Sequence, residues 1–167
     1  GHNVSGLVRF ALGQRGSVTK MLTAGDPPQS GGSRLQKAIA RLQVGFGFVG
    51  LTDLYDVSIC LFHAKFGGEG LQVEQTNNRA TSTFDSEYTR SKGKLVALVK
   101  RHAPDLWDET LFQVARSLFY GELLRYNVNE EKCRRLSCST ARTRSFFQAA
   151  QEVPTKVERV PQTASPA

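Results

Sequence analysis

Apolar side chains recur at helical spacing in three stretches of the chain. The first follows Ser33, and serine is a residue type that caps helix N-termini. The second follows Asp53 and ends at the glycine pair 67–68, and the third spans residues 106–126 after Asp105. Spacings of three and four residues predict one buried face on each helix. The positions are Leu35, Ala38, Ile39, Leu42; Leu54, Val57, Cys60, Leu61, Ala64; and Leu111, Val114, Ala115, Leu118, Leu123.

Residues 46–52, FGFVGLT, differ from these stretches because apolar side chains fall on both faces of the run. Gly45 and Asp53 bound the run, and its length suits a strand covered on both sides, as in a parallel sheet. We therefore expect a parallel strand here, with Ile39 and Leu61 packed near it. A buried strand between two amphipathic helices predicts an α/β fold.

The remaining segments are more polar. Residues 69–94 are rich in Thr, Ser, Asn and Arg and are expected to form a long functional or mobile loop, followed by a short helix at 95–102. Residues 129–153 predict a partly ordered helical extension. Residues 154–167 contain no core-forming pattern and predict a disordered tail.

The composition indicates one globular domain with a basic balance. The chain has 167 residues and a net charge of +7, which favours an anionic partner unless the surplus serves only solubility. No apolar run approaches the roughly 20 residues that span a bilayer. The chain begins at Gly1 rather than Met, so we expect a piece of a longer protein. One helix carries cations that suit an acidic polysaccharide or simply a solvated face: Arg34, Lys37 and Arg41.

The cysteines and a modification motif depend on the compartment of the protein. Cys60 lies in an apolar run and is expected to be a small buried hydrophobe. Cys133 and Cys138 either close a short disulfide loop in an oxidising compartment or remain free thiols. Residues 3–5, Asn-Val-Ser, form an N-glycosylation sequon that matters only if the chain enters the secretory pathway.

Generic catalytic motifs are absent from the sequence. It contains no GxxxxGK[ST] phosphate loop, no GxGxxG after a predicted strand, no HExxH and no GxSxG. No His and Cys residues stand at zinc-ligand spacing, so no metal is expected. His63 predicts a hydrogen-bonded core histidine, and His102 a residue at a helix end. Composition and spacing by themselves indicate only a basic α/β domain with a long polar loop.

Three strings in a fixed order carry the sequence further. They are TKML at 19–22, FGFVGLTD at 46–53 and DLWDETLF at 105–112. Their order and spacing resemble the C-terminal half of the Golgi-type carbohydrate sulfotransferases, closest to the heparan sulfate 2-O-sulfotransferase branch and to algal and protist relatives. The resemblance covers about residues 5–128. It departs at Asp53, where the family often has Glu, and at Ser17, where relatives often have Cys.

The resemblance implies the fold and the chemistry. Residues 1–128 would be the C-terminal portion of a P-loop-like sulfotransferase domain, with a parallel sheet flanked by helices. The donor would be PAPS (3′-phosphoadenylyl sulfate), the acceptor an acidic or neutral glycan, and neither a metal nor nucleic acid would take part. The protein would lie on the lumenal side of the Golgi membrane, with any anchor outside this chain. The donor phosphosulfate loop and the catalytic base are expected upstream of Gly1, so this chain alone should be inactive.

The same resemblance assigns candidate donor-binding residues to the polar stretch. Arg79 and Thr81 stand where relatives place an Arg-x-Thr-Thr-like string near the nucleotide. Ser91, Lys92 and Gly93 would form a turn that lets the backbone approach a phosphate beside a lysine charge. The alternative for both groups is a solvated surface loop. Two rival functions stay open: a noncatalytic basic module that binds nucleic acid or acidic glycan, and a degenerate, inactive sulfotransferase fragment.

Overall fold

The architecture is helical throughout the part of the chain that the structure describes. The structure is a computed structural model, and it describes residues 4–27, 30–75 and 86–151. The helices of these segments are α1 Val4–Gly13, α2 Ser17–Leu22, α3 Gly31–Val44, α4 Tyr55–Phe66, α5 Gln72–Gln75, α6 Ser86–His102, α7 Leu106–Arg125, α8 Glu130–Arg135 and α9 Ala141–Gln151.

The predicted α/β fold is wrong for these residues, since no strand or sheet occurs in any of the three described segments. Residues 46–52 form an irregular connection between α3 and α4. The Ser58 side chain satisfies its backbone: the Leu51 amide donates to Ser58 Oγ (2.9 Å), and Ser58 Oγ donates to the Leu51 carbonyl (3.1 Å). The backbone of Leu51 therefore bonds to a side-chain hydroxyl, where a strand would bond to a neighbouring strand. Phe46, at one end of the run, is 49% exposed.

The three amphipathic helices predicted from spacing are confirmed as α3, α4 and α7. Their bounds follow local signals. Asp105 caps α7 by accepting a hydrogen bond from the Asp108 amide (3.2 Å). Gly67, with a φ of 84°, ends α4, and its amide donates to the His63 carbonyl. The N-cap of α3 is Ser30 rather than Ser33, three residues earlier than expected.

The polar stretch contains more helix than its composition predicted. The predicted helix at 95–102 is confirmed as the second half of α6, which ends at His102. The loop predicted over 69–94 is wrong for the described residues, because α5 lies at Gln72–Gln75 and α6 begins at Ser86. Residues 91–93 are inside α6, so the expected Ser-Lys-Gly turn does not form. Residues 76–85 lie outside the described segments. The long helix α6 instead connects the polar stretch directly to the start of α7.

Two hydrophobic clusters form the core, and α7 contributes to both. The smaller cluster joins α3 to the first half of α7 through Ala38, Leu42 and Leu111. The larger cluster joins α4, the second half of α7 and the C-terminal segment; its buried members are Leu51, Val57, Cys60, Leu61, Phe119, Leu123, Val128, Cys133 and Cys138. Ala115 of α7 packs against both clusters, so α7 is the helix that connects them.

The cysteine pairing differs from both alternatives left open by the sequence. Cys60 of α4 forms a disulfide with Cys133 of α8, and both residues are fully buried. Cys60 is buried as expected, but its disulfide to Cys133 was not predicted. Cys138 is a free buried thiol, and its burial raises the pKa of that thiol.

The C-terminal helices pack on α4 rather than extending away from it. Asn129 caps α8 by accepting from the Lys132 amide (2.9 Å). Thr140, just before α9, donates its hydroxyl to Asp56 of α4 (2.6 Å), and Thr143 Oγ1 accepts from the Thr140 amide (2.7 Å). Residues 130–151 are thereby anchored to the larger cluster. The expected tail at 154–167 lies outside the described segments.

Candidate functional site

A cavity of about 890 Å³ lies where α2, α3, the end of α6 and the start of α7 meet the connection 46–52. Its floor is apolar and comes from Leu42, Leu111 and Ala115. Val49 and Leu51 of the connection form a side wall. Cavities of this size and character are typical of small-ligand sites.

Hydrogen bonds between α2 and α7 shape one side of this cavity. Both oxygens of Asp108 accept from the first turn of α2: Oδ1 from the Thr19 amide (2.9 Å) and hydroxyl (2.8 Å), and Oδ2 from the Val18 amide (2.9 Å). Asp105 Oδ2 accepts from the Gly16 amide (2.8 Å). The two carboxylates thus satisfy amides at the N-terminus of α2 that have no partner within that helix.

The protonation of Asp108 reflects this geometry. Partial burial raises the pKa of its carboxyl, but hydrogen bonds from the Thr19 and Val18 amides and from the hydroxyls of Thr19 and Ser17 outweigh that effect. The net result is a pKa lowered from the usual value. Asp108 is therefore a structural anion that holds α2 against α7, and its lone pairs are largely engaged.

Trp107 lies between these two aspartates in sequence, and its indole ring packs on two glycines, Gly16 and Gly31. A Cβ built on Gly31 would lie 2.0 Å from Trp107 Cζ2, and one built on Gly16 would lie 2.6 Å from Trp107 Cε3. Gly16 also has a φ of 64°, in the left-handed region. The indole ring therefore lies directly on two glycines and fixes the starts of α2 and α3 relative to α7.

The charged groups that line the cavity come from α6 and α7. Lys100 lies in the last turn of α6, and Glu109 in the first turn of α7. Glu109 Oε1 accepts from Gln113 Nε2 at 3.0 Å. Lys92, one of the predicted donor-binding residues, lies eight residues before Lys100 on the same helix, which is about 12 Å along its axis.

A second, more polar pocket of about 470 Å³ adjoins the first and shares Thr52 with it. Asp53, Tyr55 and Arg142 line it, together with Phe146 of α9. Asp53 is exposed. The lining of this pocket therefore includes an acid, a phenol and a guanidinium.

The predicted site residues fall in two places. Arg79 and Thr81 lie outside the described segments. Ser91, Lys92 and Gly93 lie within α6, and the structure describes their backbone as helical. Of the five, Gly93 is described in full and is not among the residues that line the cavity.

The cations predicted to face an acidic polysaccharide are partly used within the chain. Lys37 Nζ lies 3.0 Å and Arg41 Nη2 2.9 Å from Asp26 Oδ1. Arg41 also donates to the Leu22 carbonyl. These contacts tie α3 to the turn after α2, so two of the three cations have a structural role.

Two features of the site were not predicted from the sequence. The cavity itself arises from tertiary packing, and no local pattern announces it. The role of Asp108 has a partial signal in the sequence, because acids at the start of a helix interact favourably with its dipole, and both Asp105 and Asp108 stand at the start of α7. Their partner helix α2 lies some ninety residues earlier, and spacing alone does not reveal that pairing.

In the described segments, no group of three or more His, Cys, Asp or Glu side chains is arranged to hold a metal ion. None of their helices combines the length and apolarity needed to cross a bilayer. Comparison of the chain with protein families, with curated proteins and with solved structures finds no match.

Proposed function

We propose that this chain supplies a helical part of a PAPS-dependent carbohydrate sulfotransferase. One observation carries the proposal: the three strings that resemble the family, at residues 19–22, 46–53 and 105–112, meet around a single cavity. Asp108 of the third string holds Thr19 of the first. The second string forms the side wall of the same cavity.

The support for this proposal is the proximity of the three strings in space, and not the strand that the sequence predicted. The strand expected at 46–52 would have been the central structural feature of the resemblance, and it is absent. Segments that share a ligand site must lie together in space even when they are far apart in sequence. The strings at 19–22 and 105–112 meet this requirement through direct hydrogen bonds.

In this proposal, residues between 79 and 93 bind the donor. PAPS carries a 3′-phosphate and a phosphosulfate, which need cations and hydroxyl or amide donors. Arg79, Thr81, Ser91, Lys92 and Gly93 are the assigned residues. The helix that carries the last three residues ends at His102, and Lys100 in its last turn lines the cavity. The acceptor would be an acidic or neutral glycan, and the resemblance assigns the catalytic base to residues before Gly1.

The proposed location is the Golgi lumen, on the lumenal side of the membrane. The buried disulfide between Cys60 and Cys133 supports this placement, because disulfides persist in oxidising compartments and are rare in the cytosol. The disulfide supports an oxidising compartment, and the assignment to the Golgi rests on the family resemblance.

Calorimetric titration with PAP, the desulfated donor, tests the proposal on this chain. Binding is the appropriate readout because the resemblance places the reacting groups elsewhere. A charge-assisted contact to phosphate contributes on the order of 1.5–3 kcal/mol, so Arg79→Ala and Lys92→Ala should each weaken PAP binding roughly tenfold or more. Arg144→Ala removes the same charge from the exposed surface of α9 and should bind PAP like the parent chain.

Two results would count against the donor assignments. If the parent chain binds no PAP, the donor site does not involve this chain. If Arg79→Ala and Lys92→Ala both bind PAP like the parent, the polar stretch is only solvated surface and the five assignments are withdrawn.

A noncatalytic basic module is the second candidate, and the surface of α8 and α9 favours it. Arg134, Arg135, Arg142 and Arg144 are all exposed. Within the described segments, Arg135 has an ion pair with Glu131, but at 3.7 Å and with both side chains about two-thirds exposed. Binding to a heparin column that is unchanged by excess PAP, and lost when these arginines are replaced, would favour this candidate.

A further inference from the structure

The large cavity combines an apolar floor with an excess of acidic side chains. Three carboxylates from the start of α7 line it: Asp105, Asp108 and Glu109. Among the described residues that line it, Lys100 is the single cation. The positive ends of the α2 and α7 dipoles, each equivalent to at most about half an elementary charge, offset only part of this excess. The lining therefore carries a net negative charge.

The hydrogen bonds of these acids leave their charges in place. Asp105 and Asp108 accept from amides at the start of α2, and such bonds favour the ionised carboxylate. Glu109 is exposed and accepts only a neutral amide donor, Gln113 Nε2, at 3.0 Å. Lys100 is also exposed, and its flexible stem lets the ammonium group turn into water. An anionic ligand in the cavity would therefore be repelled by its nearest charges.

Aromatic rings add a second feature that favours a cation. Phe46, Phe48 and Phe112 line the same cavity, and the face of an aromatic ring attracts positive charge. Phe112 already has the guanidinium of Arg116 at 5.9 Å from its ring centroid. Phe46 is 49% exposed, so its ring is accessible to a ligand at the mouth of the cavity. Aromatic rings beside carboxylates are the groups that recognise organic ammonium ions.

We propose that this cavity binds an apolar organic cation, an ammonium group attached to a hydrocarbon body. The body would lie on the floor formed by Leu42, Leu111 and Ala115, and a volume of about 890 Å³ accommodates a small ligand. The ammonium group would lie between the acids of α7 and the ring of Phe46. Binding is noncovalent. The proposal does not rest on sulfuryl transfer, because it uses none of the residues assigned to the donor.

The test is a competition at pH 7 against Nile red, a neutral dye that fluoresces in apolar surroundings. Three competitors share one hydrocarbon chain and are used below the concentrations at which they form micelles: decylammonium, decanol and decanoate. Decylammonium should displace the dye at an about tenfold lower concentration than decanoate. The net charge of +7 would favour decanoate at an unspecific site, so a preference for the cation reports the local lining.

Matched variants locate the ammonium group. Glu109→Gln removes a carboxylate and Phe46→Leu removes a ring; both residues are exposed, and each change should weaken decylammonium binding about threefold while decanol binding stays unchanged. Glu131→Gln removes an exposed carboxylate from α8 and should change neither.

Four results would overturn the proposal. They are failure of the parent chain to bind Nile red, displacement by decanoate at a concentration equal to or lower than that of decylammonium, displacement by PAP, and a preference for the cation that survives both Glu109→Gln and Phe46→Leu. Loss of PAP binding in the titrations of the donor assignments would leave this proposal intact, so the two proposals fail separately.

Discussion

At the scale of single residues, Asp108 is the side chain with the most long-range hydrogen bonds near the cavity. Acids in the first turn of a helix interact favourably with the dipole of that helix. Asp108 meets this expectation for α7, yet its oxygens are directed at the amides and hydroxyl of Val18 and Thr19 on α2. One carboxylate thus serves two helix N-termini that are adjacent in space.

We expect Asp108→Ala to destabilise the protein by about 1.5–3 kcal/mol at pH 7, because it removes charge-assisted hydrogen bonds and leaves α2 amides without partners. The folded-state pKa of Asp108 is lowered. Its contribution is therefore present above the unfolded-state pKa of about 3.9 and is lost as the pH falls through the lower folded-state value. Urea unfolding at pH 7 and at pH 3 measures this difference.

The control for this prediction is Glu109→Gln, which removes the next carboxylate along α7. Glu109 is exposed and its bond is to Gln113 of the same helix, so the substitution should change the unfolding free energy by no more than about 0.5 kcal/mol. An Asp108→Ala effect as small as that of the control would show that the α2 contacts do not stabilise the fold.

At the scale of elements, the contact between Trp107 and two glycines sets how α2 and α3 approach α7. Gly31 is the first residue of α3, and a Cβ there would lie 2.0 Å from the indole. The next residue, Gly32, has no atom within 4 Å of its Cβ position. Two adjacent glycines of one helix thus differ only in whether Trp107 covers them, which makes a matched pair.

We expect Gly31→Ala to destabilise the protein by about 1–3 kcal/mol, since the new methyl group forces the indole or the helix to move. Gly32→Ala should instead be neutral or stabilise by up to about 1 kcal/mol, because alanine loses less backbone entropy in a helix. Thermal unfolding followed by the fluorescence of Trp107, the single tryptophan of the chain, measures both effects. Equal effects of the two substitutions would contradict the packing of Trp107 on Gly31.

The elements also show which parts of the fold the sequence predicts. Spacings of three and four residues predicted α3, α4 and α7 correctly because buried apolar side chains recur at helical spacing in each of them. The run at 46–52 is too short for periodicity to separate a strand from a buried connection, and only the tertiary contact with Ser58 decides it. The second half of α6 was predicted as a helix at 95–102, whereas its first half was assigned to a loop because it is polar and offers no apolar stripe.

At the scale of the whole molecule, the sequence could suggest candidate sites but not the pairings that bring them together. Cys133 and Cys138 are neighbours in sequence, yet the amide of Cys138 donates to the Cys133 carbonyl while Cys133 bonds to Cys60 on another helix. Disulfide connectivity does not follow from spacing. The cavity was unpredictable for the same reason, because its walls come from five separate segments.

The disulfide between Cys60 and Cys133 links α4 to α8 and closes a long loop of the chain, so we expect it to stabilise the fold. Its residues are 73 apart, and loops of this length lose enough unfolded-state entropy for a disulfide to stabilise by about 2–4 kcal/mol. The double variant Cys60→Ala/Cys133→Ala should lower the urea unfolding free energy by that amount. Cys138→Ala, which removes a buried thiol of the same cluster, is the control and should cost clearly less. Reducing agent should destabilise the parent chain and leave the double variant unchanged; a parent chain that reductant does not affect would contradict the stabilising role of this disulfide.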